Sequence, residues 1–242
     1  NNFIKDQTFS ANFQYFINDI YTIKFGGQAK KIHINYYETF NDSVVFEFNQ
    51  EPLDISTYTK LKWITLGEKL IIEPGFRFNY YNKTRKTYYP EFRLGLKVVI
   101  SPDQFINFST GNYHQFIQTF QDDYNQPIID FWLGNDESVN AASSNHIVLG
   151  YEQFFNNGLK CQFDFYYKDI YNTLTWIDNR SAFDGEVDYS SVSSLLNEGN
   201  GEAWGFESFI QKKQGLLTGW LSYTFSYATK TLNDQLYFTN WD

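Results

Sequence analysis

The chain has 242 residues, no methionine and a formal net charge of −9. That charge argues against a nucleic-acid partner, which requires a basic surface. No segment approaches the ~20 consecutive apolar residues of a membrane helix, and the single cysteine, Cys161, cannot form an internal disulfide. Aromatic residues make up 21% of the chain, yet its mean hydropathy is −0.47. This combination suits a wall with one apolar and one polar face.

Alternation with a period of two runs along the chain, and no segment shows convincing helical periodicity. Such alternation predicts strands, because successive side chains of a strand point to opposite faces. We predict ten strands in an all-β chain. They cover residues 8–16, 20–38, 56–66, 69–80, 88–99, 104–115, 145–155, 159–176, 201–212 and 216–229.

The connections between these strands alternate in length. Those after the odd strands are tight and contain turn-forming residues. They centre on Asn18-Asp19, Gly67-Glu68, Ser101-Pro102-Asp103, Asn156-Asn157-Gly158 and Gln214-Gly215. Those after the even strands are mostly long, at about 39–55, 81–87, 116–144 and 177–200. Short turns on one side and longer loops on the other are typical of an outer-membrane barrel.

Each predicted strand separates two faces. In 159–168 one face carries Leu159, Cys161, Phe163, Phe165 and Tyr167, and the other carries Lys160, Gln162, Asp164, Tyr166 and Lys168. Periodicity alone leaves two interpretations open, a transmembrane barrel and a soluble carbohydrate-binding β-sandwich. Several strands exceed the ~5–6 residues common in soluble proteins. Together with the sorted loops and with tyrosines near strand ends, this favours the membrane barrel.

Five motifs resemble the barrel of the TonB-dependent receptor family and occur in the family's order. They cover about residues 56–242. The first is EPGFRFNYYNKTRKTYYPEFRLG at 73–95, and STGNYHQF follows it. The next two are the hairpins NHIVLGYEQFFNNGLKCQFDFYYKDIYNTL and GNGEAWGFESFIQKKQGLLTGWLSYTFSYA, and the last is the final NWD. The bias towards Asn, Ile, Lys and Tyr resembles members from Bacteroidota.

The resemblance implies that 1–242 is part of one antiparallel transmembrane β-barrel domain. We expect about ten strands of a 22-stranded barrel, with the plug domain and the closing strands lying outside this chain. The implied function is active import of a scarce nutrient, such as a siderophore, an oligosaccharide or a peptide, across the outer membrane of a Gram-negative bacterium. The implied partners are outer-membrane lipid, the TonB-ExbB-ExbD energising complex acting through the plug, and a surface lipoprotein. The alternative is a barrel that anchors a surface or secretion complex.

Eight charged residues are expected on the barrel wall. They should face the lumen, because a charge at mid-bilayer on the lipid face costs ~2–4 kcal/mol. Their roles would be plug docking or substrate passage, or else a ladder of ion pairs between neighbouring strands. We expect the first four of them to form one network near the plug. The eight are Glu73, Arg77, Arg93, Lys97, Glu152, Asp164, Lys168 and Glu207.

Candidate ligand contacts lie at the outer strand ends and in the long loops, where acidic and aromatic side chains suit a sugar, a peptide or a cationic chelate. The alternative is a solvated aromatic rim. The candidates are Tyr113, Gln115, Tyr124, Trp132, Asp136, Trp176, Arg180 and Tyr189. No motif supplies the nucleophile, base and orienting group of an enzyme. The three histidines lack metal-ligand spacing, so no metal or cofactor is expected.

Overall fold

The computed structural model describes residues 3–40, 43–120, 131–176, 196–232 and 235–238. Most of these residues form strands, and none of them belongs to a helix that could span a membrane. The strands are β1 Phe3–Phe16, β2 Tyr21–Phe40, β3 Ser43–Gln50, β4 Leu53–Thr65, β5 Leu70–Tyr81, β6 Tyr88–Ser101, β7 Gln104–Gln115, β8 Ile117–Phe120, β9 Phe131–Gly134, β10 Ala142–Phe154, β11 Leu159–Trp176, β12 Leu196–Lys212, β13 Gly219–Leu232 and β14 Gln235–Phe238.

One large antiparallel sheet contains twelve of these strands. Its order is β1-β2-β4-β5-β6-β7-β10-β11-β12-β13-β14, with β3 paired to the far end of β2. All ten predicted strands are confirmed. A β-sandwich needs two sheets packed face to face, so a single continuous sheet does not fit the soluble alternative. Within the described residues the sheet stays open, because β1 and β14 lie at its two ends.

Two of the predicted loops contain further strands. In place of a loop at 39–55, β3 pairs with the end of β2 from Ile34 to Phe40 and lengthens that hairpin. The segment 43–48 is rich in valine and phenylalanine, which favour strands. Within the predicted loop 116–144, β8 and β9 form a separate two-stranded hairpin. We refer to β8 and β9 as the inward hairpin.

The register assigns every strand residue to one of two faces. The apolar face carries Phe9, Phe13, Phe25, Phe76, Phe92, Val98, Ile106, Ile147, Leu149, Phe165, Trp204, Leu221 and Phe225, all of them exposed. Along β11 this band runs from Leu159 to Tyr167 and is followed by Asp169. That distance is ~27 Å of strand, or ~20 Å across a membrane at the ~40° tilt of barrel strands. An exposed apolar surface of this extent suits contact with lipid.

Buried apolar packing is concentrated at the end of the sheet that bears the long connections. One cluster contains Tyr81, Tyr89, Phe116 and Ala141. A second contains Ile32, Ile34 and Tyr36, with Phe48 and Ile117 packed against it. Both form where the segment after β7 folds back onto the sheet. The polar face is therefore most deeply buried at this end of the sheet.

Candidate functional site

A pocket of about 320 Å³ lies on the polar face, at the end that bears the long connections. Five neighbouring strands, β2, β4, β5, β6 and β7, and the segment after β7 supply its walls. Its lining includes Lys30, Asp54, Arg77, Arg93, Tyr113 and Gln115. Lys30 of β2 lies directly opposite Asp54 of β4. The lining of the pocket is therefore charged, and its walls belong to the large hydrogen-bonded sheet.

The roof of the pocket is formed by the chain leaving β7. The Phe116 ring stacks on Tyr81 with centroids 4.6 Å apart, and it lies 5.0 Å from the Tyr89 ring. The backbone amide of Asn135, just after the inward hairpin, donates to the Phe116 carbonyl at 2.9 Å. The Arg85 amide, in the β5–β6 connection, donates to the Val139 carbonyl at 3.1 Å. These contacts anchor the roof to one hairpin of the wall, β5–β6.

Arg93 is committed to a local network. Its guanidinium donates to the Glu91 carboxylate at 2.6 Å, and its Cζ lies 4.5 Å from the centroid of the Tyr113 ring. The Glu91 side chain is only 4% exposed, and it also accepts the His114 backbone amide at 2.9 Å. A buried carboxylate paired in this way is stable only while its partners remain. The Glu91–Arg93 pair therefore holds Tyr113 in position, and its two charges neutralise each other.

Arg77 and Asp54 differ from Arg93 in their bonding. Arg77 donates from Nε to Asn79 at 2.7 Å and from Nη2 to the Ser56 hydroxyl at 2.6 Å. Asn79 is held in turn by the Tyr89 carbonyl, to which its amide donates at 3.3 Å. No carboxylate among the described residues lies within 4.0 Å of the Arg77 guanidinium. Asp54 likewise has no ion pair there, because Lys30 pairs with Asp6 at 3.4 Å.

A second group of charges lies further along the polar face, towards the tight turns. Glu152 accepts from the Asn107 amide at 2.6 Å and lies 3.7 Å from Lys97 and 3.5 Å from Lys160. Lys60 lies 2.9 Å from Glu73. The single network expected among Glu73, Arg77, Arg93 and Lys97 does not occur. The register places Gly95 opposite Glu73 and Gly75 opposite Arg93, so Glu73 pairs with Lys60 and Arg93 pairs with Glu91 instead.

The register places all eight predicted wall charges on the polar face. Arg77 and Arg93 line the pocket. Asp164 accepts from the Gln162 amide at 2.8 Å, and Lys168 lies 5.0 Å from the Tyr166 ring. Glu207 lies directly opposite Asp164. Their part in plug docking or substrate passage stays a prediction.

The predicted loop contacts are only partly brought together. Tyr113 and Gln115 line the pocket, whereas Asp136 caps its own turn by accepting the Ser138 amide at 2.8 Å. Trp132 lies in β9 and Trp176 in β11, and the side chains of both are outside the described part of the chain. Tyr124, Arg180 and Tyr189 lie outside the described residues altogether.

Several pocket residues were not predicted from the sequence. They are Lys30, Asp54, Asn79, Tyr81, Glu91, His114 and Phe116. Strand parity could have identified Asn79, which follows Arg77 on the same face. No local signal marks Asp54, whose role depends on a neighbouring strand. Among the described residues no three His, Cys, Asp or Glu side chains are close enough to hold a metal ion.

Solved structures match this fold, although no family model and no curated protein matches the sequence. The siderophore receptor PirA from Pseudomonas aeruginosa matches with a TM-score of 0.67 and 10% identity, over 94% of this chain and 45% of that chain. The ferric enterobactin receptor PfeA from the same organism matches with a TM-score of 0.63 and 13% identity, over 99% of this chain and 40% of that chain. The RagAB peptide transporter matches with a TM-score of 0.60 and 11% identity, over 94% of this chain and 30% of that chain. The chain thus spans less than half the length of each.

Proposed function

Since the chain has the fold of a stretch of TonB-dependent receptor barrel wall, we propose that it belongs to an outer-membrane transporter that imports a nutrient. The remaining strands would close the barrel, because unpaired strand edges are not tolerated in lipid. A plug inside the barrel would connect it to the TonB-ExbB-ExbD complex. The similar structures include receptors for siderophores and a peptide transporter, so we infer a substrate of that kind.

The observation that carries this proposal is the contrast between the two faces of one sheet. Phe9 is 75% exposed and Phe165 is 57% exposed on the apolar face. On the polar face, ion pairs such as Lys60–Glu73 and Lys97–Glu152 cross between strands. A wall between lipid and an aqueous lumen requires this arrangement. In water the same apolar face would be an aggregation surface.

The pocket supplies the site at which such a transporter would hold its substrate. It lies at the end of the long connections, which is the extracellular end in outer-membrane barrels. Its walls belong to a rigid sheet, and function tends to sit where a rigid scaffold meets its loops. We infer that a ligand binds there before it passes the plug, and that the deeper charges around Glu152 face the plug or the path.

The location is tested by imaging the full-length protein in detergent by electron microscopy. We expect strands that continue past β1 and β14 around a detergent-belted barrel with a plug inside. A sheet that closes on itself, or a particle without a belt, would overturn the proposal.

Transport is tested by following uptake of labelled ferric siderophores, oligosaccharides and peptides in cells with and without TonB. We expect one class to accumulate only when both TonB and this protein are present. Accumulation that is unaffected by the loss of TonB would contradict the active mechanism.

A further inference from the structure

We propose that Arg77 and Asp54 form a dipolar subsite that binds the zwitterionic group of an amino-acid-like ligand. This inference rests on the proposed function, because it assigns a ligand chemistry to the same pocket. Arg77 would bind the ligand's oxyanion, and Asp54 would bind its protonated nitrogen. Both residues line the pocket, and they lie on adjacent strands, β5 and β4.

Arg77 has no carboxylate within 4.0 Å among the described residues, although Glu91 lies directly opposite it on β6 and pairs with Arg93 instead. Asn79 and Ser56 hold two of its five N–H donors, on Nε and Nη2. Three N–H donors remain, including both on Nη1. A guanidinium fixed in one plane recognises a carboxylate through parallel hydrogen bonds, and fixing it beforehand reduces the entropy lost on binding. Its holders are neutral, so its positive charge is still available.

Asp54 supplies the opposite charge. It is half-buried on the polar face of β4, where an unpaired carboxylate is costly to desolvate. The nearest cation by register, Lys30, lies directly opposite on β2, but its ammonium pairs with Asp6. A protonated nitrogen of the ligand would therefore give Asp54 the partner that it lacks among the described residues.

The spacing of the two charges suits a small zwitterion. Tyr58 lies opposite Arg77, but the hydrogen bond to Ser56 brings the guanidinium along β4 towards Asp54. Asp54 and Ser56 share a face and are one repeat apart, ~7 Å along a strand. We infer a separation of that order between the two charged groups, which a single α-amino-acid group can bridge. Of the other acids and bases that line the pocket, Glu91 pairs with Arg93, and Lys30 pairs with Asp6.

This arrangement also disfavours other ligand classes. A polyanion at Arg77 would be repelled by Asp54, and a simple cation at Asp54 would be repelled by Arg77. Aromatic rings of Tyr81, Tyr113 and Phe116 line the rest of the pocket, so an apolar side chain on the ligand would be accommodated.

The test uses the full-length protein in detergent and isothermal titration calorimetry with three matched probes. Phenylalanine carries both charges, N-acetylphenylalanine only the negative one, and phenylalanine amide only the positive one. We expect phenylalanine to bind at least ~tenfold more tightly than either capped form, because each cap removes a charge-assisted hydrogen bond. Arg77→Gln should abolish the preference over the amide. Asp54→Asn should abolish the preference over the N-acetyl form.

Two control variants each remove one charge, positive or negative, at other positions on the polar face. Lys97→Gln and Asp164→Asn lie outside the pocket and should leave the order of the three probes unchanged. Heat-modifiable migration on a gel checks that each variant is folded. The proposal is overturned if the three probes bind equally, if none binds, or if the controls act like the pocket variants. Such a result, with the detergent belt and TonB-dependent uptake intact, would leave the proposed transport function standing.

Discussion

Replacing Leu149 by arginine tests whether the apolar face meets lipid. Leu149 lies at the centre of the apolar residues of β10 and is 50% exposed. An arginine at mid-bilayer on the lipid face costs ~2–4 kcal/mol. In a soluble protein the same change at a half-exposed site would cost about 1 kcal/mol, mainly from lost packing. The two environments therefore differ by a measurable amount.

The assay is guanidine unfolding of the full-length protein in phospholipid vesicles, followed by tryptophan fluorescence. The control is Ser109→Arg, which places the same side chain on the exposed polar face of β7, the strand paired with β10. We expect Leu149→Arg to lower the free energy of unfolding by ~2–4 kcal/mol more than the control does. If Leu149→Arg costs no more than about 1 kcal/mol beyond the control, as lost packing alone would cost, the apolar face does not contact lipid.

Three further predictions concern packing and charge on the polar side of the wall. Gly205→Ala should lower the free energy of unfolding by ~1–3 kcal/mol, because a Cβ there would overlap the carbonyl oxygen of Phe225. The control is Gly75→Ala, whose Cβ would lie 3.6 Å from its nearest neighbour, the Thr59 carbonyl oxygen. This control should leave the free energy of unfolding unchanged in the same assay. Phe116→Ala should cost ~3–5 kcal/mol and increase protease cleavage between residues 116 and 141, since it removes the stack on Tyr81; unchanged cleavage would mean that this ring does not hold the roof. Glu152→Gln should lower the free energy of unfolding by ~1–3 kcal/mol, because Lys97 and Lys160 both lose their ion-pair partner. The destabilisation should be smaller in 1 M salt. A destabilisation that is independent of salt would argue against an electrostatic role.

The fold class could be predicted from the sequence because strand alternation is a local property. Leu159, Phe163 and Phe165 identify one face of β11, and Lys160, Asp164 and Lys168 identify the other, before any partner strand is known. The turn residues and the unequal connections then predict an antiparallel meander. These signals need only the neighbouring residues along the chain.

The candidate site depended on the tertiary structure because it is assembled across strands. Asp54 and Arg77 line the same pocket because β4 pairs with β5, and Glu152 pairs with lysines from β6 and β11. A register shift of one residue would move a whole strand's side chains to the other face, so no single strand's sequence specifies these partners. The sequence by itself determined which residues could lie on the polar face. The long-range register decided which of them pair and which charges, within the described part of the chain, have no ion pair.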